Sequence, residues 1–403
     1  MIYKRRIIDE ILKYLDLDEI IVLLGARQVG KTHILLWLEQ YLQEQKKTIY
    51  HLDLEDSRFQ SLIDEGGVSG FITHLQAEGV YPSKNEKVFI FIDEIQNLKN
   101  PSEFLKLMVD HHKEVKLIIS GSSSFEIKNK FKDSLVGRTI TFEIYNLSFE
   151  EYLIFKNFSY DPSQPTSSIK DAQLKDLYKE YVIYGGYPKI ALTAETEIKE
   201  KRLQQIIDTY IKKDIKELAR IENPEAFNRL LEILAAQSGQ ILNIRELADT
   251  CELSVQTVEK YIFILEQTYI IRRVRPFHQN IRSELSKAPK VFFYDSGLMQ
   301  LLWLKKFPKE IIGNVFETSI FSESVKKYGR DSIYYWRTKN QKEIDLIIKQ
   351  GDKLKPIEVK INFKKANLSA IRYFSSNYDI DSYQIVGLDG YTGEKGQLYP
   401  WRL

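Results

Sequence analysis

The chain has 403 residues, 43% hydrophobic and 28% charged, which is enough for about two to four domains, each with its own core. A formal net charge of +2 excludes a global field for a polyanion, so any nucleic-acid contact must come from local patches. Its one cysteine, Cys251, excludes an intramolecular disulfide; the chain also lacks an apolar run of membrane-spanning length and the apolar core of a signal peptide, which together predict a cytoplasmic protein with no membrane partner.

Residues 20–24, Ile-Ile-Val-Leu-Leu, read as a buried parallel strand. They lead into Gly25-Ala26-Arg27-Gln28-Val29-Gly30-Lys31-Thr32, after which His33 opens a helical period through Ile34, Leu35, Leu38 and Leu42. Strand, G-x-x-x-x-G-K-T and helix in that order form a phosphate-binding loop. Its glycines let the backbone curl so that N–H groups face phosphate oxygens, and the helix N-terminus adds partial positive charge. Lys31 reaches the outer phosphates of ATP, and the Thr32 hydroxyl ligates Mg²⁺. A second strand is expected at 48–53. Residues 87–94 form a third, which ends in Asp93 and Glu94. Apolar strand then Asp-Glu is the second half of the nucleotide signature: Asp93 for Mg²⁺, Glu94 to polarise the attacking water. The strand at 115–120 ends in Gly121-Ser122-Ser123-Ser124. Those small polar groups are candidates to sense the γ-phosphate, with a plain helix-capping role as the alternative. A fifth strand at 139–144 completes a strand–helix alternation, which implies a parallel sheet with ligands at the strand C-termini.

Residues 25–32, the Phe-Ile-Asp-Glu-Ile-Gln block at 91–96, Ser-Gly-Ser-Ser-Ser at 120–124, Val-Gly-Arg at 136–138 and Leu-Ser-Phe-Glu-Glu-Tyr at 147–152 together resemble a widespread family of archaeal and bacterial AAA-type ATPases. Gly185-Gly186-Tyr187-Pro188 also fits. The resemblance covers nearly the whole chain. It implies a P-loop, AAA-type core at 1–158 and a C-terminal domain similar to restriction-endonuclease folds. It also implies a homo-oligomer in which Arg138, just before the fifth strand, reaches the neighbouring subunit's nucleotide. A solvated arginine is the alternative.

A polar, proline-containing stretch at 159–168 introduces an expected helical lid at 159–224, with helices at 171–184 and 195–219. Residues 225–283 read as helix, helix, serine-capped helix and strand, the order of a winged helix-turn-helix. Its third helix offers Gln256, Thr257 and Lys260 beside Glu259, and the following segment carries Arg272, Arg273, Arg275, His278 and Arg282. These suit DNA phosphates; a structural or oligomer-forming module is the alternative.

The last expected domain, 284–403, has a helix opening near Gly313 with Glu317, then strands at 343–349 and 355–361. A two-residue turn at Gly351-Asp352 sets Asp345 directly opposite Glu358 and puts Lys360 on the same face. Opposed carboxylates repel, so they make sense around a cation such as Mg²⁺ or Mn²⁺. With Glu317 from the helix, the set matches PD-(D/E)xK nucleases: Asp345 and Glu358 as metal ligands, and Lys360 to orient water or stabilise charge. An ordinary surface pair between Glu343 and Lys360 is the bland alternative. The reading is therefore an Mg²⁺-dependent ATPase coupled to a DNA-directed nuclease domain, or else a nucleotide-dependent switch whose last domain cuts nothing.

Overall fold

The computed structural model describes residues 2–82, 87–121, 135–215, 220–278 and 287–403. Its internal contacts divide the chain into two units, Met1–Tyr145 and Asn146–Leu403.

The first unit is built on a five-stranded sheet of β1 (Ile20–Leu24), β2 (Thr48–Asp53), β3 (Val88–Asp93), β4 (Val115–Gly121) and β5 (Thr139–Glu143), in the order β2-β3-β4-β1-β5. Every pairing is parallel. The inner strands β1, β3 and β4 are buried along their full length, which is why β1 and, up to Asp93, β3 are continuous apolar runs. Helices Lys31–Glu44, Ser57–Ala77 and Pro101–His111 provide the crossovers, the second broken at Gly67. This order brings the ends of β1, β3 and β4 together at one edge, where a doubly wound sheet binds its ligands. Lys116, deep in β4, donates to the carbonyls of Tyr14, Leu17 and Glu19 and so anchors the N-terminal segment to the sheet.

The second unit starts with the helix Phe149–Phe155. Ser148 and Glu151 cap it reciprocally, which gives the Leu-Ser-Phe-Glu-Glu-Tyr segment a structural meaning. Helices Ser168–Tyr184, Pro188–Ala191 and Thr196–Ile206 follow, the last continuing as a π-helical stretch, Ile207–Ile215. Of the helix expected to run to 219, residues 216–219 lie outside the described residues. Gly185 and Gly186 lie against the buried Asp295: its carboxylate accepts from the Gly186 and Leu298 N–H groups at 2.8 Å and from the Asn146 amide. A Cβ at Gly185 would fall 2.1 Å from an Asp295 oxygen.

Helices Pro224–Ala236, Ile244–Cys251 and Val255–Gln267 precede β6 (Ile271–Val274), which pairs antiparallel with β7 (Lys290–Phe293). The strand 290–293 therefore completes a hairpin with β6, whereas its sequence position had grouped it with the last domain. Helices Ser296–Leu304 and Gly313–Tyr328 lead to a mixed sheet of β8 (Ile333–Arg337), β9 (Glu343–Gln350), β10 (Lys353–Val359), β11 (Gln384–Val386) and β12 (Gln397–Leu398). Its order is β12-β11-β10-β9-β8: antiparallel from β8 to β10, parallel from β10 to β12. Phe277, Trp336, Ile344, Ile347, Ile371 and Phe374 form a core on one face of this sheet.

Candidate functional site

In the phosphate loop Gly30 takes φ +100° and Gln28 φ +64°, the left-handed backbone needed to reverse the chain into the helix at Lys31. Gly25 has no space for a side chain: a Cβ would lie 2.1 Å from the Ile144 carbonyl oxygen. Lys31 is buried and its Nζ donates to the carbonyls of Gly25 (3.1 Å) and Ala26 (2.9 Å). Burial pulls its pKa down, against the opposing charges of Glu94 and Asp93. The Thr32 hydroxyl donates to Asp93 Oδ2 at 2.6 Å, while Oδ1 accepts from the Ser120 hydroxyl and from the Glu94 N–H at 3.1 Å. Two hard oxygen groups from separate elements therefore meet, a donor set suited to Mg²⁺. Glu94 sits in the left-handed region (φ +54°), and the Gln96 amide donates to its carboxylate. Ala26 and Val29 are buried; Arg27 and His33 are exposed.

Three residues of this site escaped sequence reasoning. Arg5 donates to the Val29 carbonyl at 2.9 Å and to the Tyr145 carbonyl at 3.0 Å, and no local pattern signals that. Ser120 and Gln96 carry a weak signal, being polar residues at or just past the end of an apolar strand. Ser122, Ser123 and Ser124, the sensor candidates, lie outside the described residues. Arg138 is engaged within its own chain: its guanidinium forms a fork on Asp110, 2.8 and 3.0 Å from the two carboxylate oxygens.

At the other end of the chain the turn and register fall as expected. Gly351 takes φ +59°, and the β9–β10 register runs from Gln350–Lys353 to Leu346–Ile357, next to Asp345 and Glu358. The Val359 N–H donates to Asp345 Oδ2 at 2.7 Å. Lys360 Nζ lies 3.2 Å from Asp345 and 2.8 Å from Glu358. The alternative Glu343–Lys360 pair does not form; Glu343 instead faces Lys290 at 2.6 Å and Arg337 at 3.5 Å. Lys290, almost wholly buried, also lies 3.3 Å from Glu317.

The cation between Asp345 and Glu358 is the ammonium of Lys360 itself, because β10 ends at Val359 and the lysine's flexible stem turns back over both acids. Among the described residues no group of three or more His, Cys, Asp or Glu side chains is arranged to hold a metal ion. Even so, the carboxylates are short of positive charge. Burial, reinforced by Asp345, pushes Glu317 up to about 8 and Glu358 up to about 7. Burial disfavours the ammonium of Lys360, but Asp345 and Glu358 outweigh it and raise its pKa. Glu358 Oε2 is buried without a hydrogen-bond partner among the described residues. An oxygen-seeking cation fits that unsatisfied atom.

Two arginines of the basic segment next to the three-helix module are paired with acids. Arg272 lies 2.6 Å from Asp331; Arg273 lies 2.9 Å from Glu259 and 2.7 Å from Glu266. Arg275 and Lys260 are exposed, and Arg282 lies outside the described residues.

Against known families, residues 17–153 match the AAA domain, 175–310 a domain of unknown function (DUF8612) and 312–397 a second one (DUF4143). The first unit thus carries an AAA-type, nucleotide-binding ATPase domain with a parallel α/β core. The chain is similar to an uncharacterized protein of Haemophilus influenzae, 27% identical over 370 residues, covering 89% of this chain and 86% of that one. It is also similar to an uncharacterized protein of Methanocaldococcus jannaschii, 26% identical over 340 residues, covering 82% and 72%. Among solved structures, the Walker-type ATPase of Pyrococcus abyssi matches with TM-score 0.48 and 13% identity over 75% of this chain and 96% of that one. AMPPCP-bound DnaA from Aquifex aeolicus matches with TM-score 0.28 and 16% identity over 64% and 86%. Among the described residues no helix is long and apolar enough to cross a membrane.

Proposed function

We propose that the protein is an Mg²⁺-dependent, cytoplasmic ATPase coupled to a DNA-directed, nuclease-like C-terminal domain. The observation that carries the second half is the convergence of Asp345 and Glu358 from paired strands with Lys360 across both.

In the nucleotide site Lys31 exchanges the Gly25 and Ala26 carbonyls for phosphate oxygens, which gain more from its charge. Thr32 and Asp93 hold Mg²⁺, which neutralises charge on the transferring phosphoryl group when bound. Glu94, held by Gln96, orients the attacking water. The loop amides of 25–30 cradle the phosphates, and Arg27 and His33 flank them. Arg138 serves a neighbouring copy's nucleotide in a homo-oligomer, on release from Asp110.

In the acidic cluster Asp345 and Glu358, with Glu317 completing the acidic set, would hold Mg²⁺ or Mn²⁺, which would activate a water for phosphodiester attack when bound. Lys360 then moves off the carboxylates and stabilises charge on the scissile phosphate. The segments 159–224, 225–283 and 284–403 act as lid, winged helix-turn-helix and restriction-endonuclease-like domain, following the core at 1–158. A second reading, a nucleotide-dependent switch that cuts nothing, is favoured by Lys360 neutralising Asp345 and Glu358 and by the internal pairing of Arg272 and Arg273.

The test is cleavage of circular and linear DNA with Mg²⁺ or Mn²⁺, with and without ATP, by wild type, Asp345→Ala and Lys31→Ala. Cleavage lost in Asp345→Ala establishes the nuclease, and the Lys31→Ala lane shows whether ATP gates it. No cleavage in any lane leaves the switch.

A further inference from the structure

One end of the C-terminal sheet carries an exposed aromatic and basic rim that the acidic cluster does not use. Three segments meet there by topology. Residues 338–342 lead into β9 just ahead of Glu343 and Asp345. Residues 360–365 leave β10 just after Glu358, and residues 387–391 leave β11, which runs parallel to β10. The last two are tied together: Lys360 N–H donates to the Val386 carbonyl at 3.0 Å, Phe363 N–H to the Asp389 carbonyl at 2.9 Å, and Asn362 bridges to Asp389.

The rim ends in a stack of rings. Tyr391 stacks on Tyr399 with centroids 4.9 Å apart, and Tyr399 on Trp401 at 4.6 Å. Phe363 packs edge-on to Tyr391 at 5.6 Å. Trp401 is buried, whereas Tyr391 is 48% exposed, so the stack is anchored at one end and open at the other. A tyrosine held in this way has already lost its rotamer freedom, and a planar ligand would gain its face at little further entropic cost.

Charge accompanies the rings. Lys364 and Lys365 are exposed beside Phe363, and the Lys364 stem lies against Gly390, next to Tyr391. Across the sheet end, Lys339 and Lys342 are exposed, and Lys342 Nζ sits 4.4 Å above the Tyr373 ring, itself 44% exposed. Of the acids on this rim, Asp389 is paired with Lys175, and Glu394 has Lys395 beside it in sequence. Exposed rings interleaved with lysines are what single-stranded nucleic acid requires: bases stack on the rings while phosphates meet the lysines. A duplex keeps its bases stacked on one another and offers Tyr391 no free face.

We infer that this rim is a binding track for single-stranded nucleic acid, with an unpaired base stacked on Tyr391 and phosphates on Lys364 and Lys365, leading toward Asp345 and Glu358. It names the substrate class of the proposed nuclease-like domain and rests on that reading only for where the strand leads. The test uses the full-length protein in EDTA without nucleotide, where binding is read apart from cleavage. Labelled oligo(dT), oligo(rU) and a duplex of equal length are titrated by fluorescence anisotropy. At least one single strand should bind more tightly than the duplex. Tyr391→Ala should weaken that binding roughly 5- to 150-fold, the range that one base–aromatic stack is worth, and Tyr391→Phe should retain it. Lys364→Ala with Lys365→Ala should lower the salt slope by about 1.4, two phosphate contacts on a single strand. Equal or tighter duplex binding, or unchanged affinity in Tyr391→Ala with its fold intact by circular dichroism, overturns the inference. Asp345→Ala keeps the track: cleavage lost with single-strand binding retained upholds the nuclease reading without touching this one, and single-strand binding by a wild type that cleaves nothing fails the nuclease reading alone.

Discussion

Asp93 shows at the residue scale how a nucleotide site is assembled from distant parts. Its two oxygens accept from Thr32 and from Ser120 and Glu94, so one carboxylate ties the first turn of the helix Lys31–Glu44 to the ends of β3 and β4. Glu94→Gln should leave ATP binding intact and lower turnover by about two to four orders of magnitude, the usual weight of a positioned base. Lys31→Ala should abolish turnover by removing binding; unchanged ATP hydrolysis in either variant would sink the assignment. Gln96 donates to the Glu94 carboxylate, so under the proposed role of Glu94 as base Gln96→Ala should reduce kcat with little change in KM. At the acidic cluster the sign of the pH dependence follows from burial. Glu317 and Glu358 are pushed up to about 8 and about 7, above their unfolded values. The folded state therefore binds more protons, and stability falls as pH rises from about 4.5 toward 8. Melting temperatures across that window should drop in wild type and flatten in Glu317→Gln. At pH 8, Mn²⁺ should raise the wild-type melting temperature and leave Asp345→Ala unchanged, since a ligand stabilises only the state that binds it.

Single backbone positions decide how whole elements fit. The β9–β10 hairpin depends on Gly351 at φ +59°, where a side chain costs about 1 kcal/mol or more. Gly351→Val should destabilise the C-terminal sheet by that order in urea unfolding. If the turn shifted by one residue instead, Asp345 and Glu358 would point to opposite faces and any cleavage would vanish. Element limits were legible where local sequence rules govern them: the phosphate loop and the serine cap at 254. Partners were not. By its place in the chain the strand 290–293 falls in the last expected domain, and only long-range pairing makes it the mate of β6 and places Lys290 between Glu317 and Glu343. Likewise the arginines of β6 read as a basic wing, yet acids from other elements take up two of them.

For the whole molecule, the open matter is assembly. Arg138 is bound to Asp110 within one chain, so a role at a neighbour's nucleotide requires exchange of that partner. If it serves in trans, turnover per subunit should rise with protein concentration, fall sharply in Arg138→Ala and survive in Asp110→Ala. Equal turnover in Arg138→Ala would assign the pair to structure alone. The amino-acid sequence by itself determined the nucleotide chemistry and the register of the acidic hairpin, because a glycine loop, a strand ending in Asp-Glu and a two-residue turn are local devices, written in neighbouring residues. Only the tertiary structure decided what neutralises what: Lys360 over Asp345 and Glu358, Lys290 between Glu317 and Glu343, Arg138 on Asp110, and Arg5 on the carbonyls of Val29 and Tyr145. Charge pairing and burial depend on proximity in space, and no spacing along the chain encodes them.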